Sequence, residues 1–227
     1  MSVNGNFNIK NNYKLKLKDV CFAWSDKENL IIKNCSFSIL NQGLFMIVGK
    51  NGCGKSTLIK LIKGIINPTK GILEAPSNVS IVFQNPDHQI LMPTCRSELI
   101  LNIRENISKK EIDQKVMNTL SAVGLQGCIN RPINTLSGGQ KQRLAIASAL
   151  ISNSDFIVMD EPTALLDEFS QKQIINLIKS LTNNKTFPIT VLWITHRLEE
   201  LMYADKVSTM HKGRLLGWQD PINFKYK

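Results

Sequence analysis

Long apolar runs are missing from this chain of 227 residues. Stretches such as Leu44–Val48 and Phe156–Met159 fall far short of the ~20 residues that a membrane-spanning helix requires. No apolar segment follows the N-terminus as a secretory signal would. A soluble protein on the cytosolic side of a membrane, or in an equivalent organelle compartment, is expected. The five cysteines (21, 35, 53, 95 and 128) form no Cys-x-x-Cys pair and no His/Cys cluster. They read as reduced thiols used as small hydrophobes. Acidic residues are also few, 18 against 28 Lys and Arg, for a net charge of +10. A block of lysines would suggest nucleic acid, but these are spread along the chain. A generally basic surface is therefore the first reading and attraction to an anionic membrane surface the second; no nucleic-acid partner is expected. No internal repeat is present. The length suits one large α/β domain with a small inserted subdomain.

Residues 1–12 are polar and Asn-rich, which predicts disorder. From Tyr13 to Asp19, Leu15 and Leu17 alternate with Lys14, Lys16 and Lys18, the pattern of a half-buried strand. Cys35–Leu40 reads the same way, so a small antiparallel sheet is expected ahead of the main domain. Leu44–Val48 is a continuous apolar strand. The helix after it places Leu58, Ile59, Leu61, Ile62, Ile65 and Ile66 on one face, with Gly64 and Pro68 marking its end. Three further strands each stop at a polar residue. Val79–Phe83 ends at Gln84, Phe156–Met159 at Asp160 and Glu161, and Thr190–Thr195 at His196. Ligands of open parallel sheets sit at the carboxyl ends of strands, so these side chains should meet at one edge. Residues 85–135 look helical, notably Lys109–Val123. They interrupt the strand–helix alternation as a separate subdomain, leaving 13–84 and 136–227 for the β subdomain and core.

The segment Gly49-Lys50-Asn51-Gly52-Cys53-Gly54-Lys55-Ser56-Thr57 joins the first apolar strand to its helix. It fits Gly-x4-Gly-Lys-Ser, a loop whose backbone N–H groups wrap a phosphate chain. Gly52 and Gly54 let the backbone approach, Lys55 would pair with the β- and γ-phosphates, and Ser56 would ligate Mg²⁺. Helix N-termini favour anions. A second such start, Leu136-Ser137-Gly138-Gly139-Gln140, follows Lys55 by about 80 residues, which suggests that it serves a nucleotide held by another copy. Asp160 and Glu161 are adjacent and point in different directions on a strand. One can reach a metal while the other activates water.

With those residues in view, the chain strongly resembles ATP-binding-cassette (ABC) ATPases. Lys50–Thr57 looks like their Walker A loop, Phe156–Glu161 like Walker B and Leu136–Gln140 like the signature. Gln84 stands at the Q-loop, Ala164–Asp167 at the D-loop and His196 at the switch histidine. Trp24 stands where the family often has a Tyr stacked on adenine. The resemblance implies a P-loop, RecA-like core with antiparallel β and inserted helical subdomains. It also implies a head-to-tail pair of ATPase subunits, homo- or heteromeric, holding two ATPs, with Gln84 joining Ser56 and Asp160 around Mg²⁺ and an integral membrane subunit as partner. A narrower similarity lies in Val82–Gln89 (Val-Phe-Gln-Asn-Pro-Asp-His-Gln), Met92–Thr94, Ile194–Glu200 and Tyr203–Asp205. It is to cobalt-type and energy-coupling-factor (ECF) transporter ATPases, including cyanobacterial and plastid relatives.

The chain departs from that group at Cys95–Asn102, where an acidic run is usual, and at Leu165, where a small residue is usual. A micronutrient importer subunit is the leading expectation, and an iron–sulfur assembly ATPase is the alternative. A GTPase is disfavoured because Asn184-Lys185 continues as Thr186-Phe187, not as a guanine-binding Asn-Lys-x-Asp.

Overall fold

The computed structural model describes residues 14–25, 29–184 and 189–226. The disorder expected for residues 1–12, and Tyr13 at the head of the first strand, lie outside them. Strands β1 (Leu15–Phe22), β2 (Ile32–Ile39) and β4 (Lys70–Glu74) form an antiparallel sheet in the order β2-β1-β4. Leu17 faces Phe37 on one side and Leu73 on the other. A second sheet runs β5-β6-β7-β3-β8-β9. Its members are β3 (Gly43–Val48), β5 (Val79–Val82), β6 (Phe156–Asp160), β7 (Thr190–Thr195), β8 (Lys206–His211) and β9 (Arg214–Leu215). The first five are parallel and β9 is antiparallel to β8.

A parallel sheet covered on both faces needs apolar residues at every position, and β3 and β7 are buried throughout. Leu44, Met46 and Val48 enter one core with helices α4 (Gly138–Ile151) and α5 (Glu168–Thr182). Phe45 and Ile47 enter the other, which packs the antiparallel sheet and helix α1 (Lys55–Ile62) against the opposite face. Within α1, Leu58, Ile59, Leu61 and Ile62 are buried, each worth roughly 1.5–3 kcal/mol. The helix is shorter than its apolar pattern suggests. Gly64 is left-handed at φ 74, and the N–H of Ile65 turns back to the carbonyl of Lys60 at 2.9 Å, a closure that glycine favours. Ile65 and Ile66 therefore lie beyond it.

The segment between β5 and α4 carries less helix than expected. It contains α2 (Cys95–Leu101), α3 (Lys109–Ala122) and short 3-10 turns at Pro86–His88, Gln126–Cys128 and Ile133–Thr135. Both helices begin with reciprocal caps, Thr94 with Ser97 and Ser108 with Glu111, which satisfy otherwise orphaned N–H groups. Among the described residues no helix is long and apolar enough to cross a membrane.

Candidate functional site

Four parallel strands deliver their carboxyl ends to one edge of the large sheet. From β3 the chain turns through Gly49–Gly54 into α1. Gly49 is packed so closely that an added Cβ would lie 2.5 Å from the carbonyl oxygen of Met210 and 2.7 Å from Cys53 Sγ. Gly52 and Gly54 have φ of 76° and 112°, backbone conformations that a side chain strains. The Lys55 side chain is buried inside the loop, with Nζ donating to the carbonyls of Gly49 at 2.7 Å and Lys50 at 3.2 Å.

Above this loop lies a cavity of about 710 Å³. Asn51, Gly52, Gly54, Lys55, Ser56 and Thr57 form its floor; Gln84 joins them from the end of β5. Asp160 ends β6 with Glu161 just beyond it, His196 follows the end of β7, and Ile31 comes from the approach to β2. Burial, then the neighbouring Glu161 charge, push the Asp160 carboxyl above the usual aspartate value, while Lys55 pulls it down. Glu161 is left-handed at φ 47, and its N–H donates to the carbonyl of Ile194 at 2.8 Å. That bond ties the end of β6 to β7, and His196 Nδ1 lies 2.9 Å from Glu161 Oε2.

Other sequence-predicted residues lie apart from the cavity lining. Gly49 and Lys50 support the loop from behind. Cys53 lies in the loop without being an activated thiol. It is half-buried, turned toward Gly49, and burial raises its pKa more than Lys55 lowers it. Trp24 is 58% exposed rather than a core residue. Its ring meets Phe22 edge-on at 5.0 Å and has Lys60 Nζ 5.1 Å from its centroid. The Ser137–Gln140 turn opens α4 and does not line the cavity, with Ser137 and Gly138 exposed. Gln140 N donates to Ser137 Oγ at 3.3 Å and Ser137 N to Gln140 Oε1 at 3.0 Å. Sequence reasoning missed Ile31. It belongs to no motif, and its N–H pairs with the Phe22 carbonyl at 2.8 Å at the rim of the cavity.

A glycine loop closed around a buried lysine, facing two strand-end carboxylates, defines a P-loop nucleoside triphosphatase. The family model described as "ABC transporter" matches residues 32–164, and the chain belongs to that family of ATP-hydrolysing cassettes. It is 41% identical over 223 residues to "ABC transporter I family member 10" of Arabidopsis thaliana, covering 95% of this chain and 82% of the relative. It is 36% identical over 221 residues to the energy-coupling factor transporter ATP-binding protein EcfA of Methanocaldococcus jannaschii, covering 90% and 78%. A solved structure of cbiO1 from Clostridium perfringens, part of the ABC transporter complex cbiONQ, superposes with a TM-score of 0.86 at 29% identity, covering 92% and 89%. A dimeric ATP-binding cassette in a post-hydrolysis state with ADP and Pi gives 0.74 at 25% identity, covering 92% and 100%.

Proposed function

We propose that this chain is the ATP-hydrolysing subunit of an importer for a micronutrient, a metal ion or a vitamin. It works as a head-to-tail pair with a second ATPase subunit, at the cytoplasmic face of a membrane or the equivalent organelle side, and drives a separate membrane-embedded subunit. The observation that carries this reading is a divided site. Lys55, Gln84, Asp160, Glu161 and His196 share one cavity, while Ser137, Gly138, Gly139 and Gln140 at the start of α4 are not among the residues that line it. Such a start is useful to a nucleotide only when another cassette presents one to it.

The residues fit Mg-ATP. Lys55 and the loop N–H groups suit the phosphates. The Ser56 hydroxyl, Asp160 carboxylate and Gln84 amide are the hard oxygen donors that Mg²⁺ takes. When bound, Mg²⁺ would neutralise charge developing on the transferred phosphoryl group. Glu161 accepts the proton of the attacking water, and His196 holds that carboxylate in place from the neighbouring strand.

A second cavity, about 410 Å³, supports the membrane-partner part of the reading. Ile90, Leu91, Met92, Pro93, Pro132 and Ile133 form its apolar wall, and Leu91 is 75% exposed. Leu91 lies seven residues beyond Gln84, so a helix docked there would feel the state of the nucleotide site. The names of the EcfA and cbiO1 relatives favour this reading over iron–sulfur assembly.

The test is fractionation of native membranes. The protein should pellet with membranes, leave them in alkaline carbonate, and be detached by Leu91→Asp with ATP binding intact. Wild-type protein that stays soluble, or that sediments with ribosomes or an iron–sulfur assembly complex, would overturn the assignment.

A further inference from the structure

We infer that Glu200, buried behind the nucleotide site, is a positioning residue that holds Glu161 and His196 against each other for the attack of water. The inference rests on the assignment of water activation to Glu161.

Glu161 needs such support. A non-glycine residue at φ 47 carries strain of about 1–3 kcal/mol and persists only where its surroundings over-determine it. The strand-to-strand bond to Ile194 fixes its N–H. Beyond it the chain runs through Pro162 to Thr163, which is 1% exposed. The Thr163 hydroxyl donates to Glu200 Oε1. Glu200 belongs to the 3-10 turn Leu198–Tyr203, separated from His196 only by Arg197. One carboxylate is thus attached to both halves of the pair. It reaches the Glu161 segment through the Thr163 hydroxyl and the His196 segment through four residues of backbone.

The surrounding groups serve the same two segments. Arg197 Nε lies 3.7 Å from Glu200 Oε1, and the Arg197 N–H donates to Thr195 Oγ1 at 3.0 Å. Gln171 Nε2 donates to the carbonyl of Leu166 at 2.6 Å and, at 3.4 Å, to that of Thr163.

Glu200 is an expensive way to fill this space. It is 2% exposed, and Oε2 has no hydrogen-bond partner among the described residues. Burying an unsatisfied oxygen of a carboxylate is unfavourable, and an apolar residue of similar volume commonly matches or improves on a buried ion pair. Stability alone does not account for a carboxylate here. A requirement to hold the 2.9 Å contact between His196 and Glu161 does.

The test uses the full chain with Thr163→Val, which removes the hydroxyl at nearly constant shape, and with Glu200→Ala and Glu200→Gln. Misplacing a catalytic group by about 1 Å costs roughly 10²-fold in rate. Thr163→Val and Glu200→Ala should therefore lose about 10- to 100-fold in kcat, with KM for ATP within about twofold of wild type. Glu200→Gln keeps an oxygen to accept the Thr163 hydroxyl and should recover most of the loss. Thr163→Val carries the test if Glu200→Ala fails to fold. Residues acting on one step are non-additive, so adding Thr163→Val to Glu161→Gln should cost nothing more.

A readout independent of turnover is the NMR signal of the His196 ring, assigned among the chain's three histidines. It should shift in Thr163→Val and return toward wild type in Glu200→Gln. Wild-type kcat in Thr163→Val, or an unmoved His196 signal, overturns the inference. Full turnover in Glu161→Gln would instead remove the base from Glu161, while the His196 signal would still report whether Glu200 holds the pair.

Discussion

Glu98→Ala tests how the groove proposed for the membrane partner is built. Glu98 lies in α2, is 2% exposed, and its Oε2 accepts the backbone N–H groups of Leu91 at 2.9 Å and Met92 at 3.0 Å. Those two residues form part of the apolar wall of the second cavity. A hydrogen bond to a charged group contributes about 1.5–3 kcal/mol. Leu91 is exposed, so water can reach its freed N–H, and the lower figure applies to each bond. Truncation should therefore destabilise the chain by roughly 3 kcal/mol. For a domain of this size each kcal/mol moves the melting temperature by roughly 2–4 °C, so a fall of about 6–12 °C is expected by calorimetry. Glu98→Gln keeps one acceptor without the charge and should lose about half as much. With the wall loosened, Glu98→Ala should also release the membrane partner in co-purification while ATP binding persists. A melting temperature within about 2 °C of wild type would show that the two bonds contribute nothing, and the account of the groove would be wrong.

Trp24→Ala should raise KM for ATP about two- to twelvefold, the range of an aromatic stack, with kcat little changed because stacking acts equally on ground and transition states. Since the ring is largely exposed, thermal stability should hold; a collapse in stability with normal ATP affinity would make it structural. Cys53, whose pKa burial raises above the ordinary thiol value, should stay protonated at neutral pH. Its reaction with maleimide, mapped by mass spectrometry, should be slower than that of glutathione at pH 7 and accelerate as pH climbs past the usual thiol range. Labelling as fast as glutathione at pH 7 would contradict the burial argument.

The large sheet was legible where apolar runs are continuous. Leu44–Val48, Phe156–Met159 and Thr190–Thr195 declare themselves because both faces of those strands are covered. Strands β4, β8 and β9 were not legible. Lys70–Glu74 is mostly exposed and interrupted by Gly71, Lys206–His211 hides Ser208 and Thr209 inside its apolar pattern, and Arg214–Leu215 is two residues long. The partners of β4 in β1 and of β8 in β3 lie far away in sequence, and β9 is too short to show a pattern, so local periodicity carries no trace of them. The phosphate loop and the strand-end residues Gln84, Asp160, Glu161 and His196 could be named from spacing, since a parallel sheet sends all its carboxyl ends to one side. The orientation of Cys53 could not, because its sulfur packs against Gly49 in a tertiary arrangement that no motif encodes. Nor could the links of Glu98 and Glu200, both buried acids whose partners are fixed by tertiary packing rather than by any motif.

The central claim is that Glu161 activates water for ATP hydrolysis in a site completed by a second cassette. Its most direct test is hydrolysis by Glu161→Gln, measured alongside nucleotide binding in the chain assembled with its partner cassette. Wild-type affinity for Mg-ATP is expected, with intact ATP retained in a stable cassette pair and turnover lower by about 10²–10⁴-fold, the usual contribution of a general base. Hydrolysis within about threefold of wild type, well short of that loss, would contradict it and move the base elsewhere, with His196 the next residue to examine.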